Sequence, residues 1–219
     1  MFRVNKATQT GKNTVEIDLE KINAQSRREL TEDDVYVFSI RACDDQPDRD
    51  YERFTVDCLK GLADLFVGKT VIFDHSWSAL HQTARIYDCA VLQDGNENYL
   101  LMHCYMLRSE QTLPIIDAID AGILREVSVG CSVGAATCSV CGSGYGGCEH
   151  RKGQKYGDKL CICELSDPKD AYEVSFVAVP AQPKAGVQKS ATDENMSIND
   201  LDRRKKEVEI EKIRFGGNK

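Results

Sequence analysis

Three side chains with reactive chemistry occur in stretches that otherwise predict buried strands. His75 follows the apolar run Val-Ile-Phe, Ser128 lies between Val127 and Val129, and Glu173 begins the run Glu-Val-Ser-Phe-Val-Ala-Val. A buried carboxylate is costly without a partner, so Glu173 requires one. A serine nucleophile needs a base to take its proton, and an imidazole base needs an acceptor that fixes its tautomer. The three residue types therefore form a chemically complete set for nucleophilic catalysis.

Ser128 and His75 also have structural interpretations. A hydrogen-bonded core serine would explain Ser128, and a structural histidine at a strand end would explain His75. Ser132 shares a strand face with Ser128 but is about 13 Å further along at roughly 3.3 Å per residue, so one imidazole cannot serve both. Asp74 is a rival to Glu173 as the orienting acid, but adjacent strand residues point to opposite faces.

A second group of residues has the spacing of a metal site. Cys138-x-x-Cys141 is followed by Cys148-x-His150, with Gly-Ser-Gly-Tyr-Gly-Gly between the two pairs. Thiolates and imidazoles are zinc ligands, and a Cys-x-x-Cys turn presents two thiolates to one ion. A full set of protein ligands leaves no open position for water. The spacing therefore predicts a structural Zn²⁺ site.

Alternatives stay open for these cysteines. The Cys-x-His pair is tighter than the common spacing, so Cys161 or Cys163 is an alternative fourth ligand. A redox-active pair, or cysteines that pack as small apolar side chains, would also account for the pattern. The other five cysteines are dispersed among apolar segments and are expected in the core: Cys43, Cys58, Cys89, Cys104 and Cys131.

The elements that must position these residues follow from periodicity. Residues 56–66 and 113–121 have the apolar spacing of helices, and the polar stretch 23–34 is a further candidate helix. Asp94-Gly95 predicts a hairpin turn. Strand-like runs cover 35–43, 69–77, 83–92, 98–107, 123–133 and 172–181. This pattern predicts an α+β fold with an antiparallel or mixed, barrel-like sheet and flanking helices.

Composition divides the chain into segments. We expect an N-terminal extension over 1–34, a domain over 35–187 and a charged, mobile tail over 188–219. Residues 137–163, rich in cysteine and glycine, are interpreted as a zinc-knuckle-like insertion into that domain. Without the insertion, a simple connection would join the strands that carry Ser128 and Glu173.

Charge and composition exclude several classes of protein. The chain has 219 residues, of which 42% are hydrophobic, and a formal net charge of −7. The negative charge argues against broad electrostatic capture of nucleic acid. No apolar run approaches the roughly 18 residues needed to span a bilayer. The N-terminus lacks the apolar segment of a signal peptide, so we expect an intracellular protein with reduced thiols.

The order of the three reactive residues has a known counterpart. Val-Ile-Phe-Asp-His75, Glu-Val-Ser128-Val-Gly and Glu173-Val-Ser-Phe-Val-Ala-Val-Pro-Ala-Gln-Pro-Lys-Ala-Gly-Val resemble the prohead maturation protease family of tailed phages over residues 35–187. That family is similar to the herpesvirus assemblins in fold and chemistry. The resemblance implies a serine endopeptidase with Ser128 as nucleophile, His75 as general base and Glu173 as the third member.

The resemblance also carries expectations about partners and place. It implies that scaffold and capsid-protein extensions are the substrates, that the chain forms a homo-oligomer, and that it acts in the host cytoplasm, the procapsid interior or the cytoplasm of a prophage-bearing bacterium. Where assemblin-type enzymes use an arginine as oxyanion donor, this sequence has only Lys184 nearby. The insertion in this sequence, with Cys-Ser-x-Cys-Gly followed by Cys-Glu-His, resembles insertions in proteins of Gram-positive phages.

Two further hypotheses assign the chain to other functional classes. One is a catalytically silent capsid-assembly or scaffold-like protein that uses the zinc module to bind a partner. The other is a zinc knuckle that binds single-stranded nucleic acid, which the few aromatic residues of 137–163, Tyr145 and Tyr156, disfavour.

Overall fold

A mixed β-sheet with a few helices organises residues 17–188, the part of the chain that this computed structural model describes. Residues 1–16 of the predicted extension, and the predicted tail from residue 189, lie outside the described residues. The helices are α1 (Leu19–Asn23), α2 (Val56–Phe66) and α3 (Leu113–Asp120). The strands are β1 (Val35–Asp44), β2 (Glu52–Phe54), β3 (Thr70–Phe73), β4 (Ala84–Asp94), β5 (Glu97–Leu107), β6 (Val127–Cys138), β7 (Lys155–Tyr156), β8 (Lys159–Leu160), β9 (Cys163–Phe176) and β10 (Gly186–Gln188). The predicted α+β class is confirmed.

The main sheet has the strand order β10-β1-β5-β4-β3-β9-β2, and β6 also pairs with β9. Most ladders are antiparallel, whereas β2 and β3 run parallel to β9. The predicted hairpin is confirmed, because β4 and β5 are joined at Gly95, whose φ of 59° suits a tight turn. No helix among the described residues is long and apolar enough to cross a membrane.

Closure into a barrel, which the sequence pattern suggests, does not occur within residues 17–188. Strand β9 bonds to β6 along one edge and to the short strands β2 and β3 along the other. At the far end, β10 approaches the segment before β6 through an isolated bridge between Glu126 and Gly186, not through a continuous ladder. The sheet therefore remains open because its terminal strands pair over too few residues.

The two larger helices form where the periodicity predicts them. Thr55 caps α2, since its side chain accepts a hydrogen bond from the N–H of Cys58. Beyond α2, Gly68 has a φ of 84°, and beyond α3, Gly122 has a φ of 71°, so each glycine takes a left-handed conformation after its helix. The buried face of α2 packs on β9 and β4.

The helix predicted over 23–34 is wrong. Helix α1 ends at Asn23, whose side-chain amide donates to the carbonyl of Leu30 at 3.0 Å and accepts from its N–H at 2.8 Å. These two bonds turn the chain back, and a single 3₁₀ turn over Glu32–Asp34 leads into β1. Polar side chains that bond the backbone compete with helix formation, which the charge pattern alone did not reveal.

Apolar residues cover both faces of the sheet. The larger core joins one face of the strands to α2 and α3, and it includes Phe38, Ile40 and Ile86. Alternate residues of β1 face the other way. There Val35 packs with Ile22 and Leu30, so residues 17–34 pack on the sheet.

The cysteine-rich segment sits at the tip of the long β6–β9 hairpin. Cys138, the last residue of β6, is paired with Cys163, the first of β9. The intervening residues carry the small β7–β8 hairpin. An ion pair of 2.5 Å joins Lys152 of this segment to Glu52 of β2. The segment thus takes the place of a simple hairpin turn.

Candidate functional site

A constrained turn at the end of β3 presents His75. Asp74 and His75 both have positive φ angles, 50° and 52°, which is uncommon for residues other than glycine. The turn is fixed by hydrogen bonds from the N–H of Asp74 to the carbonyl of Phe176, at 3.0 Å, and from the N–H of His75 to Ser175 Oγ, at 2.9 Å. Strand β9 therefore sets the position of the histidine.

His75 and Glu173 are joined as the sequence pattern predicts. The distance between His75 Nδ1 and Glu173 Oε1 is 2.7 Å. Glu173 is 3% exposed, whereas the His75 side chain is 44% exposed. An ionised carboxylate only accepts hydrogen bonds, so the tautomer that completes this contact has its proton on Nδ1 and leaves Nε2 of a neutral ring as a base. Asp74, the rival acid, is exposed and makes no such bond.

Two residues that the sequence analysis did not single out hold the carboxylate of Glu173. Ser175 is fully buried, and its Oγ donates to Glu173 Oε2 at 2.5 Å. Gly130 is paired with Glu173 across the β6–β9 ladder, and a Cβ at this position would overlap Glu173 Oε1. The signal for Ser175 was present in the sequence, because residues two apart in a strand share a face.

Ser128 lies on the strand next to this pair. It is directly opposite Ser175 in the β6–β9 ladder, and directly opposite residues point to the same side of a sheet. Ser128 is half-buried, and no hydrogen bond joins its hydroxyl to His75 among the residues described. Catalytic contacts in ligand-free sites are commonly long and tighten when substrate binds. Ser132 is opposite Asp170, beyond a register shift, and so stays away from Glu173.

Lys184, the cation that the sequence offers near the position of the assemblin oxyanion donor, forms an ion pair with Glu97. Its Nζ lies 2.5 Å from both carboxylate oxygens of Glu97. Glu97 also accepts from the buried Arg41, at 2.9 Å, and the two cations hold the pKa of Glu97 below its usual value. Lys184 therefore fastens the loop after β9 to β5.

The predicted metal ligands are brought together. One donor atom from each of Cys138, Cys141, Cys148 and His150 lies within 4.8 Å of the others. Cys138 is buried, and Cys141 is exposed. His150 Nδ1 is buried and has no hydrogen-bond partner among the described residues, which leaves a nitrogen lone pair for a ligand.

These four donors fit a tetrahedral ion. Bond lengths of about 2.3 Å for Zn–S and about 2.0 Å for Zn–N place ligand atoms roughly 3.5–3.8 Å apart, so the cluster needs only a small contraction. Of the alternative ligands, Cys161 Sγ lies 3.8 Å from Cys138 Sγ. Cys163 is buried opposite Cys138 but is outside the group of four.

Hydrogen bonds at the Cys-x-x-Cys turn lower the pKa values of Cys138 and Cys141 and so favour thiolates there. Burial opposes ionisation of Cys138, but the backbone N–H groups of Cys141 and Val140 lower its pKa to about 7. Burial raises the pKa of Cys161 to about 11. The first thiol of the Cys-x-x-Cys turn is therefore prepared to bind a cation.

The arrangement at β3, β6 and β9 can move a proton. It has a buried acceptor, an imidazole whose second nitrogen faces away from that acceptor, and a hydroxyl on the neighbouring strand. These are the parts that general-base activation of a nucleophile requires. Comparisons of the chain with protein-family models, with curated proteins and with solved structures found no match.

Proposed function

We propose that this chain is a serine endopeptidase of the kind that matures phage proheads, with Ser128 as nucleophile, His75 as general base and Glu173 as the acid that orients His75. The observation that carries the proposal is the 2.7 Å contact between half-exposed His75 Nδ1 and buried Glu173 Oε1. A histidine that is only structural has no need of a strained turn that exposes its ring beside a buried carboxylate.

In each half-reaction His75 acts first as a general base and then as a general acid. Ser128 Oγ attacks the carbonyl carbon of the peptide bond while His75 Nε2 takes its proton. His75 then gives that proton to the departing amine, and an acyl ester remains on Ser128. Water, deprotonated by His75 Nε2, attacks the ester carbonyl; the acyl product leaves as a carboxylic acid, and His75 returns the proton to Ser128 Oγ. Glu173 stays ionised and stabilises the imidazolium; general acid–base assistance of this kind contributes about 10²–10⁴-fold.

The proposed substrates come from the resemblance to prohead maturation proteases. Its most specific support is the closing segment of β9 and the residues after it, Glu173-Val-Ser-Phe-Val-Ala-Val-Pro-Ala-Gln-Pro. Scaffold proteins and capsid-protein extensions would be cleaved in the procapsid or the bacterial cytoplasm. The open sheet is compatible with extended substrates because Ser128 lies near the start of β6 and His75 follows the end of β3.

The cysteine cluster is proposed to hold one structural Zn²⁺. Cys138, Cys141, Cys148 and His150 would be its ligands, and the orphaned His150 Nδ1 supports this set over one that contains Cys161. When bound, the ion would cross-link the tip of the β6–β9 hairpin. Its four protein ligands leave no position for a reacting water.

Labelling with a serine-reactive fluorophosphonate tests the proposed catalytic set. We expect the full chain to be labelled, the label to be lost in Ser128→Ala, and the labelling rate to fall about 10²–10⁴-fold in His75→Ala. Ser132→Ala is the matched control, since it removes a hydroxyl from the same strand away from Glu173. Labelling that persists in Ser128→Ala would overturn the assignment of the nucleophile.

A second candidate is a catalytically silent capsid-assembly protein that binds a partner through the metal module. The observation in its favour is that the clustered ligands lie at a hairpin tip where Cys141 is exposed, while no hydrogen bond joins Ser128 to His75 among the described residues. This function predicts no fluorophosphonate labelling, together with binding to capsid protein that is lost in the Cys138→Ser/Cys141→Ser variant.

A further inference from the structure

An exposed aromatic pair lies beside the candidate catalytic residues. Trp77 follows His75 by two residues, and Tyr172 immediately precedes Glu173. Their ring centroids are 5.5 Å apart, with the planes inclined at 51°. Trp77 is 74% exposed and Tyr172 is 39% exposed. Two large apolar surfaces are thus presented to solvent next to the His75–Glu173 pair.

Backbone structure holds both rings in place. Tyr172 is the unpaired residue at a register shift, where Gly130 is opposite Glu173 and Cys131 is opposite Ala171. A bulge of this kind redirects a side chain out of the regular ladder. The chain around Trp77 is fastened by a 2.9 Å contact between Ser76 Oγ and His81 Nδ1. The pair is therefore a built feature of the loop and strand.

Around the pair, the loop adds apolar surface, and the two lysines of residues 69–82 and 167–176 are both ion-paired. Leu80, in the same loop, is 92% exposed. The lysines of this region are both paired, Lys69 with Asp170 at 3.3 Å and Lys169 with Asp167 at 2.8 Å. A phosphate-bearing ligand would find no unpaired lysine or arginine on residues 69–82 and 167–176. With Trp77, Tyr172 and Leu80 exposed, this surface suits an apolar ligand better than an anionic one.

We infer that Trp77 and Tyr172 form a specificity subsite that takes an apolar side chain of the polypeptide to be cleaved. The inference rests on the proposed function, and it adds a substrate class: sequences with leucine or an aromatic residue close to the scissile bond. The ring faces would cover that side chain, and removal of apolar surface from water would provide the selectivity. Trp77 and Tyr172 are thus specificity residues, distinct from the residues that move protons.

Trp77 itself is the reporter for the test, because it is the only tryptophan in the sequence. The full-length Ser128→Ala chain is titrated with four capped nonapeptides that differ only in the central residue: Leu, Phe, Ser or Lys. We expect the Leu and Phe peptides to shift Trp77 emission to shorter wavelength and to bind about tenfold more tightly than the Ser peptide. No shift with any peptide, or equal affinity for all four, would overturn the inference.

Variants locate the effect. Tyr172→Ala, made in the same Ser128→Ala chain, is expected to bring the Leu and Phe peptides down to the affinity of the Ser peptide. Val67→Ala, which trims a 44% exposed apolar residue before β3, at the end opposite His75, is the matched control and should change nothing. An equal loss in both variants would contradict a subsite at Tyr172.

The same titration separates this inference from the proposed function. If fluorophosphonate labels Ser128 but no peptide shifts the emission, the subsite fails and the peptidase stands. If the Leu and Phe peptides bind but Ser128 is never labelled, the apolar site stands and catalysis fails. If oligo-dT quenches Trp77 at the concentrations at which the peptides bind, the rings stack on nucleic-acid bases. That result would overturn the inference of a site for a peptide side chain.

Discussion

At the scale of single residues, the site is defined by what is packed around Glu173. Its two carboxylate oxygens are both used, Oε1 by His75 Nδ1 and Oε2 by Ser175 Oγ. Ser175 also accepts the N–H of His75, so one buried hydroxyl fixes the acid and the backbone of the base together. The strained φ of His75 is supported by that bond. The absence of a side chain at Gly130 leaves room for Glu173 Oε1.

Gly130→Ala is expected to disable the site while the fold survives. A Cβ at this position overlaps Glu173 Oε1, and the carboxylate is too buried to move away. Overpacking should lower the free energy of unfolding by about 1–3 kcal/mol. Displacement of the carboxylate by about 1 Å should lower kcat/KM about 10²-fold. Urea denaturation and peptide-cleavage assays measure the two effects.

Gly134→Ala is the matched control, because it adds the same methyl group to the same strand. There the added Cβ would meet Asp167 Oδ2 and the end of the Lys169 side chain. Both side chains are more than half exposed, so they can swing away at little cost. We expect near-wild-type stability and activity. If the two variants behave alike, the effect of Gly130→Ala does not arise from close packing around Glu173.

At the scale of elements, the β6–β9 hairpin carries Ser128, Glu173 and the cysteine ligands. The sequence predicted its two strands, because Val-Ser-Val and Glu-Val-Ser-Phe alternate in the way of half-buried strands. It did not predict that β9 starts at Cys163, since the run Asp167-Pro168-Lys169-Asp170 has low strand propensity. Pairing with β6 overrides that local preference. The register shifts that set Ser132 and Tyr172 apart from Glu173 arise from this pairing as well.

Metal removal should loosen the tip of this hairpin and leave its base intact. The backbone bonds next to the ligands include Gly142 N–H to the carbonyl of Cys138 at 2.8 Å and Ser139 N–H to the carbonyl of Ile162 at 3.0 Å. We expect one equivalent of zinc by metal analysis. After chelation, amide hydrogen exchange at Gly142 and Ser139 should accelerate at least about tenfold, while Val174 stays protected.

A variant pair tests whether the ligands cause this behaviour. Cys138→Ser/Cys141→Ser should show the fast exchange without chelator, and Cys89→Ser, at a half-buried cysteine in β4, should not. Zinc that survives in the double variant would mean that the ion is held elsewhere. Absence of zinc from the wild-type chain would contradict the metal site itself.

At the scale of the whole molecule, the fold class and the secondary-structure content were predictable from the sequence. Whether the sheet closes into a barrel was not. Hydrophobic periodicity indicated α2, α3 and most strands, because each buries one face. Whether a sheet closes depends on the lengths of its terminal ladders, and β2 and β10 contribute three residues each. The joining of His75 to Glu173 was predictable from chemistry, since a buried carboxylate needs a partner. The register that places Gly130 and Ser175 around it required the tertiary structure.

Thiol chemistry should distinguish the buried cysteines of the core from the exposed cysteine of the metal cluster. Burial raises the pKa of Cys43 and Cys104 well above the usual value. Burial likewise raises the pKa of Cys131 to about 12, so its thiolate is scarce at pH 8. Cys141 is exposed and belongs to the cluster. Chelated native protein at pH 8 should therefore react with iodoacetamide at Cys141 within minutes and at Cys43 only after unfolding.

The position of each label, found by peptide mass spectrometry, checks this division. Zinc-loaded protein should protect Cys141, because a coordinated thiolate is no longer a free nucleophile. Raising the pH from 7 to 9 should leave Cys131 largely unlabelled, since that range ends about three units below its pKa. Rapid labelling of Cys43 or Cys104 in the folded chain would contradict their burial and, with it, the core on which the β6–β9 hairpin is mounted.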